Sequence, residues 1–77
     1  MSTAESNFKV MAEKWNSPYV ARDKVGEFSG GILHPRTIAN LDSRGEGPKG
    51  RIRIGRKVAY DAIELAKWLA SRAKEVE

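Results

Sequence analysis

"HPRTIANLDSRGEGPKGRIRIGRKVAY", residues 34–60, is the stretch on which the reading of this chain turns. It opens on a histidine and a proline, breaks at Gly45, Gly47 and Pro48, and then passes from helical spacing to strict strand alternation. It also holds seven of the fourteen basic residues of the chain against two acids, Asp42 and Glu46. The predicted order is a short helix, a loop and a basic hairpin.

The helix is predicted to start near His34 and Pro35, because a proline in the first turn gives up an N–H that has no partner there. Ile38 and Leu41, three apart, are its expected buried contacts, and Arg36, Thr37, Asn40 and Arg44 take the opposite face through i+3 and i+4 spacings. In RIRI, residues 51–54, the alternation predicts Ile52 and Ile54 on the core face and Arg51 and Arg53 on the other. Gly55, Arg56 and Lys57 form a tight basic turn into a second strand, Val58, Ala59 and Tyr60. An isolated hairpin is marginal in water, so Ile52, Ile54, Val58 and Tyr60 are expected to dock on helices.

Working outward, Ser17 as N-cap and Pro18 at the first helical position predict an earlier helix, with Ala21, Val25 and Phe28 on one face and Gly30 and Gly31 as its stop. The connection EFSGGIL, residues 27–33, then runs longer than a compact turn between two helices. Upstream, FKVMAEKW at 8–15 reads either as a short strand or as one or two helical turns, and residues 1–7, small and polar, are expected to be disordered. Downstream, Asp61 with Glu64 three residues on is a capping-box-like helix start. Leu65, Trp68, Leu69 and the stem of Arg72 share one face of that helix, with Trp68 as the expected largest anchor, and Ala62, Ala66, Ala70 and Ala73 add helix propensity.

At 77 residues the chain has room for one domain with a thin core, which excludes a two-domain enzyme. There is no cysteine, hence no disulfide, thiolate metal site or cysteine nucleophile. Apolar runs fall far short of a membrane span, and the start, MSTAESNFKV, lacks a secretory pattern, so a cytoplasmic location is expected. The net charge of +4 is concentrated: residues 1–33 balance, residues 34–57 carry a surplus of five, and residues 58–77 have one acid in excess. A concentrated surplus points to a polyanionic partner, with a solvated basic face as the alternative.

The side chains refine that choice. Arg reaches guanine in bidentate fashion, Asn reaches adenine, Thr a phosphate or a thymine methyl, and a cationic ribbon suits phosphates or a minor groove. Enzyme chemistry finds no purchase. His34 stands alone before a proline and is expected to be a polar cap or surface residue, with neither a metal nor a cofactor to hold. Gly45 to Gly50 fits G-x-x-x-x-G, but Arg51 and Ile52 follow where a phosphate loop needs Lys and Ser or Thr. Ser29 lies in FSGG, which lacks the nucleophile elbow.

Taken together, HPRTIANLDSRGEGP, the RIRIGRKVAY ribbon and LAKWLASR resemble the small excisionase and AlpA-like DNA-binding proteins, a winged helix-turn-helix family related to the MerR type, over residues 18–72. The resemblance implies an α+β, mainly α fold, with a two-stranded wing and a C-terminal helix in a single domain of residues 8–77. It implies a major-groove set of Arg36, Thr37, Asn40 and Arg44, and a wing and backbone set of Lys49, Arg51, Arg53, Arg56 and Lys57. The implied activity is that of a recombination directionality factor. Such a protein binds and bends double-stranded DNA so that an integrase, a tyrosine or serine recombinase, excises a prophage or mobile element, with neighbouring copies of itself on the DNA and a nucleoid-associated cytoplasmic location. The alternative is a phage or mobile-element transcriptional regulator. An RNA-binding or adaptor protein is the rival from another class, with Phe8, Trp15 and Tyr19 as its stacking candidates.

Overall fold

Four α-helices and a three-stranded antiparallel sheet make up residues 3–74 and 76, the residues this computed structural model describes. The fold is α+β and mainly α. In chain order the elements are α1 (Thr3–Lys14), β1 (Tyr19–Ala21), a 3₁₀ turn (Arg22–Lys24), α2 (Val25–Phe28), α3 (Pro35–Ser43), β2 (Arg51–Ile54), β3 (Lys57–Asp61) and α4 (Ala62–Arg72).

The ambiguous segment 8–15 is helical as far as Lys14. Phe8, Met11, Ala12 and Trp15 recur at i, i+3, i+4 and i+7 and pack against the core, which gives α1 a tertiary reason to form. The helix opens at Thr3, so the disorder expected for residues 1–7 does not hold from residue 3 onward; residues 1 and 2 lie outside the described residues.

The helix expected at Ser17 and Pro18 begins later. Ser17 Oγ instead accepts from the Tyr19 N–H at 3.3 Å, the Pro18 carbonyl accepts from Ala62 N–H at 2.8 Å, and Tyr19–Ala21 pairs with β3. Strand pairing to a central strand satisfies three residues at once, and the local capping signal loses to it. The helical stretch runs only from Arg22 to Phe28, yet Val25 and Phe28 are buried as their spacing predicts.

The long connection to α3 is organised by one side chain. Ser29, buried, donates from Oγ to the Val25 carbonyl at 2.8 Å and accepts from Leu33 N–H at 2.9 Å, which draws Leu33 into the core. Helix α3 follows with His34 as its N-cap, Nδ1 accepting from Arg36 N–H at 3.1 Å, and Pro35 in the first turn. Ile38 and Leu41 are buried as expected. At its end Gly45 N–H donates to Asp42 and Glu46 N–H to Leu41, the Schellman pattern that satisfies two orphan carbonyls.

The sheet order is β1-β3-β2, so the expected two-stranded ribbon is part of a larger sheet with β3 at its centre. Its register corrects the predicted faces. Ile54 pairs with Lys57 across a two-residue turn, which places Ile52 opposite Ala59, Arg53 opposite Val58 and Arg51 opposite Tyr60. Paired residues share a face, so Arg51 and Arg53 lie with Val58 and the fully buried Tyr60, while Ile52 and Ile54 face outward. Ile52 is only half-buried and Ile54 is 73% exposed, so neither is a core residue.

Asp61 caps α4, accepting from Glu64 N–H at 2.9 Å as the capping box predicts. Leu65 and Leu69 are buried together with Ala62 and Ala66, so two of the alanines are core residues as well as helix formers. Trp68 is half-buried and not the central anchor. It donates from Nε1 to the Glu46 carbonyl at 3.0 Å, with the Arg72 guanidinium 5.1 Å over its ring, and so ties α4 to the loop after α3. Among the described residues no helix is long and apolar enough to cross a membrane.

Candidate nucleic-acid interface

Helix α3 and the β2–β3 hairpin stand side by side, and the space between them is an open cleft of about 440 Å³. Ala39 and Ser43 form the helix wall, Arg51, Ile52, Arg53 and Val58 the hairpin wall, and Arg22 and the buried Asp42 its floor. The register explains the hairpin wall: the same parity that buries Tyr60 turns both arginines of RIRI toward α3.

The floor is a charge cluster. Asp42, on the inner side of α3 with only 4% of its side chain exposed, accepts from Arg22 Nη2 at 2.7 Å and from the Tyr60 hydroxyl at 2.5 Å, both on Oδ2. Arg22 Nε in turn donates to the Tyr60 oxygen at 2.9 Å. Arg51 Nη1 lies 3.2 Å from Oδ1 but off the line of a hydrogen bond, so that oxygen has an ion-pair neighbour and no donor. Its other neighbour is Gly47, where a Cβ would fall 1.8 Å from Oδ1; only glycine lets the loop close over the carboxylate.

Burial pushes the Tyr60 phenol up to about 12, reinforced by its bond to Asp42 and opposed by Arg22. Desolvation works to lower the Arg22 pKa, but the bonds to Tyr60 and Asp42 outweigh it and raise it above the ordinary value. The phenol stays protonated and the guanidinium charged, so one carboxylate ties α3 to the turn before α2, to the central strand and to the hairpin edge.

All nine residues expected to touch a partner are exposed. Their arrangement differs from the expected one. At ~100° per residue, moving over α3 away from the hairpin meets Ala39, Ser43, Arg36, Asn40, Arg44 and then Thr37. The outer crest is therefore Ser43, Arg36 and Asn40, with Thr37 and Arg44 on the flank away from the hairpin. Sequence reasoning passed over Ala39 and Ser43, which lie four apart but carry no long donor, and it passed over Arg22, whose place in the cleft depends on the β1 pairing.

Of the seven cations, Arg51 is bound to Asp42, Arg44 lies 3.7 Å from Glu46, and Lys57 lies 3.7 Å from Asp23. The last two pairs are exposed and weak. Arg36, Lys49, Arg53 and Arg56 have no ion-pair partner among the described residues. Phe8 and Trp15 pack against the core, Trp15 edge-on to Phe28 at 5.4 Å, which leaves Tyr19 as the exposed member of the three stacking candidates. Among the described residues no cluster of three or more metal-ligating side chains occurs. No protein-family model, curated protein or solved structure matches this chain.

Proposed function

We propose that this chain binds duplex DNA, with the crest of α3 entering the major groove and the β2–β3 hairpin lying over the adjacent backbone and minor groove. The observation that carries this reading is the pairing of two neighbouring protrusions of groove-entering size, a helix and a two-stranded ribbon, with uncompensated arginines on both. Arg36 and Asn40 have the donor and acceptor groups that read guanine and adenine edges, and Arg53, Arg56 and Lys49 supply the phosphate contacts that set affinity. The resemblance of residues 18–72 supports the finer role of an excisionase-type architectural protein that bends attachment-site DNA for an integrase. A single small module of this kind contacts few base pairs and gains specificity through neighbours on the DNA.

The test is selection from random duplex DNA, followed by titration of the winning sites at two salt concentrations. Closely spaced direct repeats bound cooperatively are the expected result. Inverted repeats would identify a dimeric regulator instead, and no enrichment over non-specific binding would overturn the reading in favour of RNA or a protein partner. On a selected site, Arg36→Ala and Asn40→Ala should each lose about 1–3 kcal/mol of discrimination at one base pair. Arg56→Ala should weaken all duplexes alike and flatten the salt dependence by roughly one counterion.

A further inference from the structure

Resting on that reading, we propose that the cleft between α3 and the hairpin is a seat for one backbone phosphodiester, held by Arg22, Arg51 and Arg53. A helix in the major groove and a hairpin over the neighbouring minor groove straddle the sugar-phosphate strand that separates the two grooves, so the element between them on the protein faces backbone. What lies between them here is a largely polar cleft lined by three arginines from two elements.

The charge balance favours an anion. Three arginines and one carboxylate line the cleft, and that carboxylate is buried and already engaged by Arg22, Tyr60 and Arg51. Asp42 acts as the positioning residue: it fixes the Arg22 and Arg51 side chains before any ligand arrives, so less rotamer entropy remains to be lost on binding. Among the described residues Arg22 uses only Nε and one Nη2 bond, and the rest of its five-donor fork is left for an outside acceptor. Arg53, on the same face as Arg51, has no acidic partner among the described residues and supplies the third contact. Planar guanidiniums match phosphate oxygens in geometry as well as in charge.

The experiment uses a selected duplex prepared as a set, each member carrying one neutral methylphosphonate linkage, titrated with the parent protein, Arg53→Gln and Arg22→Lys. With the parent, neutralising one linkage should reduce affinity about tenfold, the value of a charged hydrogen bond. With Arg53→Gln the same linkage should become nearly silent, and Arg22→Lys, which keeps the charge and loses the fork, should show reduced sensitivity at that linkage or its immediate neighbour. If Arg53→Gln lowers affinity while every linkage keeps its parental effect, the seat is overturned and DNA binding stands. If the parent binds no duplex, the reading beneath it falls too. Arg53 is exposed and outside the buried cluster, so its variant keeps the test decisive even if Arg22→Lys fails to fold.

Discussion

Asp42 concentrates more consequence than any other side chain of this protein. Replacing it by alanine leaves the Tyr60 hydroxyl buried without an acceptor and two guanidiniums without their counter-charge, which should cost about 3 kcal/mol by denaturant unfolding. Gly47→Ala attacks the same carboxylate from the other side and should cost about 1–3 kcal/mol, because the new methyl must displace Oδ1. Tyr60 gives the cluster a pH signature. Its folded pKa is raised from 10.0 to about 12, so its contribution is complete below the first value and is lost as pH rises through the second. Unfolding free energies of the parent and Tyr60→Phe, measured from about pH 8 upward, should therefore differ most at the start and converge toward the alkaline end. None of this was legible in the sequence, where Asp42 is one acid among basic neighbours and Arg22 stands twenty residues away.

At the scale of elements, legibility followed the range of the interactions. Helix α3 and helix α4 were readable because their caps, His34 with Pro35 and Asp61 with Glu64, lie within the segments themselves. Helix α1 and strand β1 were not: seven of eight residues of ambiguous pattern became helix because α4 offers an apolar seam, and the residues after a Ser-Pro start became strand because β3 offers a partner. The hairpin was found in place but read with its faces exchanged. Alternation fixes which residues of RIRI go together, and the turn alone fixes which of the two sets meets Tyr60. Ile54→Ala is thus expected to change stability by less than about 0.5 kcal/mol, as at an ordinary surface position, whereas a core isoleucine would cost several times more; thermal unfolding decides between them.

Across the whole molecule, the cleft and the apolar helix seam occupy different elements. The cleft and the free arginines belong to α3 and the hairpin, whereas α1 and α4 close the opposite side of a thin core through Phe8, Met11, Trp15 and Leu69. Trp15→Ala, which removes the edge-on contact to Phe28 and the bond to the Tyr19 carbonyl, should cost about 3 kcal/mol and leave the affinity of the still-folded fraction for DNA unchanged. The turn at Gly55, with φ of +60°, joins β2 to β3 within the hairpin. Tyr60 and Val20 anchor β3 and cannot shift, so any change of turn length falls on β2. With the two-residue turn kept, a single codon inserted between Ile54 and Lys57 would carry Arg51 and Arg53 to the outer surface and bring Ile52 and Ile54 against α3, so that one mutational step would turn a cationic ribbon into a sticky apolar one.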